Sequence, residues 1–381
     1  MVLGLIPNFY EKKDYRLLAA IPLILLIASF AIIFVKGIPT GIELRGGLRI
    51  TVQSAEPVDV DLLRERFSSF SKDLSVRGFE NPTGSGIEIE MSNNEALEIA
   101  SEKLFALEAS EKDLISAELN ASYFAEQAKN DSSLASQAYA AQQSADAMRA
   151  KVYSDAKDLL ALIGSSAALP SDVYGAVKLA RDEFTAAKGR YREQLLVVVK
   201  QVAPNAAVSL REVGSVLSQF FFIKTREFVL YSFILSAIVV LIVFRSLGPS
   251  FAVIFGAATD VIVTLGAMSL FAIPLNLATV ATLLMLIGFS LDTDMLLTIR
   301  VLKRSEDSPA ARAFDAFKTG AMMNVTSVVA FGILAIFGML LQIEVYYTIG
   351  LVAVIGSIVD LFATWCANAA IVLWWVERKK N

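Results

Sequence analysis

The 381-residue sequence contains no histidine, one cysteine (Cys366) and 19% charged residues, against about 25% in soluble domains. Without histidine there is no imidazole metal ligand, no Ser-His-Asp triad and no imidazole proton relay. One cysteine excludes an intrachain disulfide framework and a cysteine-cluster metal site. The net charge of −4 supplies no overall basic field, so no nucleic-acid partner is expected. The phosphate-cradling pattern Gly-x-x-x-x-Gly-Lys-Ser/Thr is missing, and the loops expected on the cytosolic side are too short for a nucleotide domain. No cofactor, metal site or enzymatic activity is expected. What remains is carboxylate chemistry, binding, or a mechanical task in a membrane.

The apolar residues, 55% of the chain, are concentrated in runs. A bilayer-spanning helix needs about 20 of them. Residues 17–35 carry no charge and precede no small-residue cleavage site, so they read as an anchor rather than a leader. A hydrophilic stretch, 36–227, follows. Five further apolar segments then come close together, at 228–244, 251–273, 275–299, 319–342 and 346–376. The sequence thus predicts six spans in a 1+5 arrangement, between an N-terminal segment (1–16) and a tail (377–381).

Lys and Arg in the short connections set orientation. Lys12, Lys13 and Arg16 precede the first span. Arg245 follows the second; Arg300, Lys303, Arg304, Arg312 and Lys318 lie between the fourth and fifth; Arg378, Lys379 and Lys380 close the chain. The opposite turns, Ile273-Pro274-Leu275 and Ile343-Glu344-Val345, have no basic residue. Both termini are therefore expected in the cytosol of a multi-pass cytoplasmic-membrane protein, with 36–227 outside.

The external segment has two compositions. In 36–91, residues 48–53 and 86–91 alternate like strands, and 60–70 carries Leu62, Leu63, Phe67 and Phe70 at helical spacing. A return at 203–216 adds a short strand over 206–210. This β-α-β…β order predicts a small α/β sandwich of ferredoxin-like type. Between them, 92–202 is alanine-rich, with 23 alanines and one proline (Pro170) from 91 to 200. Alanine is the best helix former, and helices are expected over 94–128, 134–162 and 171–201. This insertion reads as a hairpin or coiled-coil arm, the sharper alternative being an arm that binds a client. Asn120-Ala121-Ser122 and Asn130-Asp131-Ser132 match the glycosylation pattern, which is common by chance. The fold class is an α-helical polytopic membrane protein with an external α/β domain carrying a helical insertion.

Four carboxylates fall inside the spans: Asp260, Asp292, Asp294 and Asp360. A charge at the bilayer centre costs about 2.5–3.5 kcal/mol on insertion scales, so each should face the bundle interior or a wet cavity. Proton handling and a structural hydrogen bond are the two readings. Asp292 and Asp294 stand about 200° apart around a helix and cannot face one site. Asn324, Thr326 and Ser327 in the fifth span can donate to a neighbouring carboxylate. Gly288, Ser290, Gly320 and Ala321 are small enough for close helix approach.

Several motifs occur in a familiar order. Gly41-Ile42-Glu43-Leu44-Arg45-Gly46-Gly47 follows the first span, and Val213-Gly214-Ser215-Val216-Leu217 precedes the second. Asp260-Val261-Ile262-Val263-Thr264 lies in the third. Leu275-Asn276-Leu277-Ala278-Thr279-Val280 and Ile287-Gly288-Phe289-Ser290-Leu291-Asp292-Thr293-Asp294 run through the fourth, and Asn324-Val325-Thr326-Ser327 opens the fifth. On these motifs the chain resembles the SecF family of protein-export membrane proteins, six-span partners of SecD in the superfamily of proton-driven RND pumps. The resemblance covers the first span, the adjoining strands and everything from about residue 213 onward.

The resemblance implies assistance to protein translocation, with a SecD-like subunit, a SecY-type translocon, the translocating polypeptide and membrane lipid as partners. It implies use of the proton gradient, with Asp292 as the coupling acid and Asp294 second. Two features depart from bacterial members. Their acid usually sits one residue later, at Thr293 in this chain, and a basic residue near the start of span five has Lys318 as its nearest counterpart. The alanine-rich block also exceeds the family's usual external domain, and the Asp-Thr-Asp form resembles archaeal members. The alternatives are one half of a small-molecule or lipid exporter of the superfamily, and a scaffold for SecD. An intramembrane aspartyl protease using Asp260 and Asp292 would need Gly-x-Gly-Asp, where this chain has Gly288-Phe289-Ser290-Leu291.

Overall fold

The computed structural model describes residues 7–380 except 12–13, 55, 72, 82–83, 304–305 and 342. Lys12, Lys13 and Arg304 of the basic pattern, and Gln342 at the end of an expected span, lie outside the described residues. The chain divides into two units, one built from 1–45 and 218–381 and the other from 46–80 and 84–217. The first apolar run forms a 3-10 turn at Tyr15–Ala19 and α1 (Ala20–Lys36), which ends on Gly37 at φ 71°. A single helical turn, α2 (Ile42–Arg45), closes this N-terminal part.

The second unit opens with β1 (Gly47–Ser54), α3 (Val60–Phe67), β2 (Leu74–Asn81) and β3 (Gly84–Met91). It continues with α4 (Glu95–Asn130), α5 (Ala135–Leu162), α6 (Val173–Val202) and β4 (Ala207–Val213). The sheet order is β2-β3-β1-β4, with β1 antiparallel to both β3 and β4. Alternation puts Ile50 opposite Ile89 and Leu210, and Val52 opposite Ile87 and Val208. That apolar face is covered by Leu63 and Phe67 of α3 and by Leu195 and Val199 of α6. On the opposite face, Arg49 and Glu90 are direct cross-strand partners joined at 2.5 Å. Helix α3 starts where the Asp59 carboxylate accepts from the Asp61 and Leu62 amides. It stops at Phe67, short of the expected residue 70. Strand β2 escaped the sequence reading because Gly78 interrupts its pattern, although Val76 is buried in the sheet core.

The alanine-rich segment is a three-helix arm. Helix α4 buries Ala100, Leu107, Leu114 and Ala121, seven residues apart, with Leu97 and Leu104 packed beside them three residues before Ala100 and Leu107. This is the 3-4 spacing of a coiled-coil seam. Helix α5 ends at Gly164 (φ 66°), and Asp172 caps α6 by accepting from the Gly175 amide at 2.7 Å. Glu118 ties the three helices together, accepting from Arg149 and from the Tyr174 hydroxyl, each at 2.6 Å. Helix α6 is continuous: Val173 to Phe184 pack in the arm, whereas Leu195 and Val199 pack under the sheet. Asn120 and Asn130 are exposed on α4.

The membrane unit resumes with α7 (Ser215–Phe244), α8 (Leu247–Leu270), α9 (Leu277–Lys303) and α10 (Pro309–Leu340). Last come α11 (Glu344–Phe362), a π-helical segment (Ala363–Asn368) and α12 (Ala369–Lys380). Among the described residues, six helical stretches are long and apolar enough to cross a membrane, the sixth running through the π segment. Helix α7 begins at Ser215, well before the expected 228, because Lys224 and Glu227 pair at 2.8 Å one turn apart and the helix carries its polar residues with it. Helix α10 likewise starts at Pro309, with Ser308 accepting from the Ala311 amide. Half or more of the apolar core of α8, α9 and the last span is buried, against 6% for α7 and 11% for α1 and α10. The first set therefore builds the interior of the bundle, where intramembrane polar groups belong.

Candidate functional site

Three of the four intramembrane carboxylates meet inside this bundle. Asp260 of α8, Asp294 of α9 and Asp360 of α11 are 2%, 0% and 6% exposed. Helical phase selects the residues of α9. Ser290 and Asp294, four apart, share one face, and Thr293 borders it. The Ser290 hydroxyl donates to Asp260 Oδ2 at 2.5 Å. The Thr293 hydroxyl donates to Asp360 Oδ2 at 3.0 Å. Asp360 also accepts from Thr364 at 2.9 Å and from the Asn324 amide of α10 at 2.9 Å. Asp260 and Asp360 line the same small cavity.

Asp294 is held from the last span. Asn368 Nδ2 donates to its Oδ1 at 2.6 Å. Thr364 and Asn368 both belong to the π segment, whose wide turn presents one to Asp360 and the other to Asp294. Short π segments inside α-helices recur at functional sites. Trp365, 1% exposed, anchors the segment against Gly320, where a Cβ would fall 2.1 Å from the indole ring. Gly256 does the same for Asp294, with a Cβ position 2.5 Å from Oδ2. Among the described residues, no Lys or Arg bonds to any of the three carboxyls. Burying an unpaired carboxylate is costly, and the cluster offers only hydroxyls, amides and its own protons as compensation.

Asp292 does not join the cluster. It lies on the exposed side of α9 and lines a cavity of about 50 Å³ whose other walls include Asp260, Asp360, Asn324 and Ser327. Such a space has room for one or two water molecules. Thr326 is exposed and its hydroxyl turns back to the Met322 carbonyl at 2.8 Å. Gly288 is exposed with nothing near its Cβ position, so it makes no close helix contact, whereas Gly320 does. Sequence reasoning passed over Gly256, Thr364 and Asn368, although Asn368 stands eight residues after Asp360, a spacing that keeps both on one side of a helix.

The glycine-rich motif after the first span sits at another part of the membrane unit. The Gly41 amide donates to the Leu275 carbonyl at 2.9 Å, and the Leu275 amide donates to Pro39 at 2.7 Å. A side chain at Gly41 would meet Glu43 Oε2 at 2.9 Å and Asn276 at 3.1 Å, and Glu43 is buried beside it. Gly46 and Gly47 have φ 79° and 141°, values that favour glycine and turn the chain into β1.

Residues 194–378, which contain the whole cluster, match the family described as "Protein export membrane protein SecD/SecF, C-terminal". Over 368 residues the chain is 29% identical to the protein-export membrane protein SecF of Methanocaldococcus jannaschii, covering 96% of this chain and 97% of that protein. Over these residues the chain resembles the SecD/SecF family. It is 40% identical to SecF of Methanothermobacter thermautotrophicus over 171 residues, 44% of this chain and 60% of that protein. With SecF of Methanolacinia petrolearia it shares 40% over 149 residues, 39% of this chain and 52% of that protein. The matched segments thus span between half and three-fifths of these two SecF relatives. The crystal structure of SecDF from Thermus thermophilus, a translocon-associated membrane protein, resembles the fold with a TM-score of 0.59 at 16% identity. That likeness covers 99% of this chain and 40% of the SecDF chain.

Proposed function

We infer that this chain is a SecF-type membrane component of protein export and that its carboxyl cluster carries protons across the bundle. The observation that carries this reading is the arrangement itself. Three buried carboxyls on three helices lie, among the described residues, without a Lys or Arg partner inside the region matched by the SecD/SecF family. Such a costly group is hard to explain by packing alone, since apolar residues of similar volume are as good or better. The adjoining cavity, about 50 Å³, suits water.

The positive-inside pattern supports cytosolic termini and an external 36–227 segment. The sheet order β2-β3-β1-β4, with β1 antiparallel to β3 and β4 and helices α3 and α6 on one face, supports reading the sandwich as ferredoxin-like. The scantily buried faces of α1, α7 and α10 suit lipid and a second six-span, SecD-like subunit. A SecY-type translocon and its translocating polypeptide complete the proposed assembly.

Export of a secreted reporter in cells carrying Asp294→Asn, Asp360→Asn or Asp292→Asn tests the site. The first two should stop export while membrane abundance holds, and Asp292→Asn should act more weakly. Full export with both Asp294→Asn and Asp360→Asn would reject the reading.

A further inference from the structure

Two hydroxyls near the cluster behave unlike the other helical threonines of the bundle. Thr259, Thr282 and Thr348 each donate back to the carbonyl four residues earlier, at 2.8–2.9 Å. Thr264 and Thr298 are 0% exposed, yet their Oγ1 atoms have no hydrogen-bond partner. An unpaired buried hydroxyl costs about 1–3 kcal/mol, and valine would fill the same volume without that cost. The two carboxyl oxygens nearest them in sequence, Asp260 Oδ1 and Asp294 Oδ2, are also buried without a partner.

Their placement is ordered. Thr264 lies one turn beyond Asp260 on α8, toward the 271–276 connection. Thr298 lies one turn beyond Asp294 on α9, toward the opposite end of the bundle. Gly256 touches Asp294, so Thr298 stands about level with residue 252. Twelve residues of α8 then separate the two threonines, about 18 Å along the axis of a core about 30 Å thick.

We propose that Thr264 and Thr298 are the hydroxyl relays on either side of the carboxyl cluster, Thr264 handing protons to Asp260 and Thr298 taking them from Asp294. This rests on the proton reading of the cluster and specifies its path. The spacing of i and i+4 groups, about 5–6 Å between Cβ atoms, suits one bridging water. Thr264 Oγ1 accepts a proton from a hydronium while its own proton leaves through that water to Asp260 Oδ1, so the hydroxyl ends as it began. Asp260 then gives its proton to Asp360 and Asp360 gives one to the Asp294 carboxylate, an O–H bond breaking on the donor carboxyl each time one forms on the acceptor. Asp294 releases that proton through water to Thr298, which passes on its own in the same way. No group is oxidised or reduced, and water is the only co-reactant.

The test uses the full chain, purified with the membrane chains that accompany it and reconstituted in vesicles under an imposed pH gradient. Proton uptake is read by an enclosed pH-sensitive dye. Thr264→Val and Thr298→Val should each slow uptake by about tenfold or more, with thermal stability unchanged or raised, and the serine variants should restore it. Alanine variants replace valine where valine destabilises. Wild-type uptake in both valine variants, with uptake lost in Asp294→Asn, would overturn the relay and leave the carboxyl reading standing. Wild-type uptake in Asp294→Asn would overturn both.

Discussion

Gly256 and Asp294 touch across the α8–α9 interface so closely that a methyl group on Gly256 would stand 2.5 Å from Asp294 Oδ2. The carboxyl cannot retreat freely, because Asn368 holds its other oxygen at 2.6 Å. Gly256→Ala should therefore cost about 1–3 kcal/mol through overpacking and break the Asn368 bond. Thermal unfolding and reporter export measured together check this. A stable variant with full export would show that Asp294 has room to move.

At the other end of the π segment, the Tyr10 hydroxyl donates to the Trp365 carbonyl at 2.6 Å, and Phe9 packs edge-on against Phe314 and Phe317. The N-terminal segment thus satisfies a carbonyl of the turn that positions Thr364 and Asn368. Tyr10→Phe keeps the ring and removes only the bond. It should lower stability by about 1–2 kcal/mol, the cost of an unsatisfied buried acceptor. It should also reduce export more than a surface change of equal destabilisation would. Export that merely tracks the melting temperature across both variants would reject a link to the cluster.

The sequence made some of this legible and not the rest. Long apolar runs and loop lysines and arginines reveal six spans because composition alone decides what a bilayer accepts. The arm was legible because alanine and heptad spacing act locally, as Ala100, Leu107, Leu114 and Ala121 show. The choice between Asp292 and Asp294 was not local. It depends on which face of α9 meets α8, set by Gly256 and Ser290 from opposite sides of the interface. The π segment was invisible for the same reason: nothing in Ala363–Asn368 departs from helix-forming sequence until Trp365 must fit over Gly320. Strand β2 was missed because its pairing, not its composition, makes it a strand.

The arm carries a pH response of its own. The Tyr174 hydroxyl is pushed up to about 12, first by its bond to the Glu118 carboxylate and then by burial. Glu118 is lowered, first by Tyr174 and then by Arg149. The tyrosine therefore stabilises the arm fully below its unfolded value of 10.0, and this contribution fades as the pH rises toward about 12. The Glu118 contribution is present above its unfolded value of 4.5 and is lost as the pH falls through its lower folded value. Melting of the arm, followed by circular dichroism on the full chain, should be weaker in Tyr174→Phe at neutral pH. The difference from wild type should shrink at both extremes. A difference that stays constant from neutral pH to pH 12 would refute the assignment.

Trp365 and Gly320 set the last and most stringent test of the packing. A Cβ on Gly320 would lie 2.1 Å from one indole ring carbon and 2.7 Å from another. An indole is rigid, and Phe317 packs on this one at 5.5 Å in an edge-to-face arrangement. The ring therefore cannot absorb a methyl group by changing rotamer alone; the π segment must shift with it. Gly320→Ala should destabilise by about 1–3 kcal/mol and move Thr364 and Asn368 relative to Asp360 and Asp294. Pairing Gly320→Ala with Trp365→Phe, a smaller ring, should recover part of the stability. A double-mutant cycle with a coupling of about 0.5–3 kcal/mol would place the strain at this contact. Additive losses would place it elsewhere and remove the reason for assigning the π segment's position to this glycine.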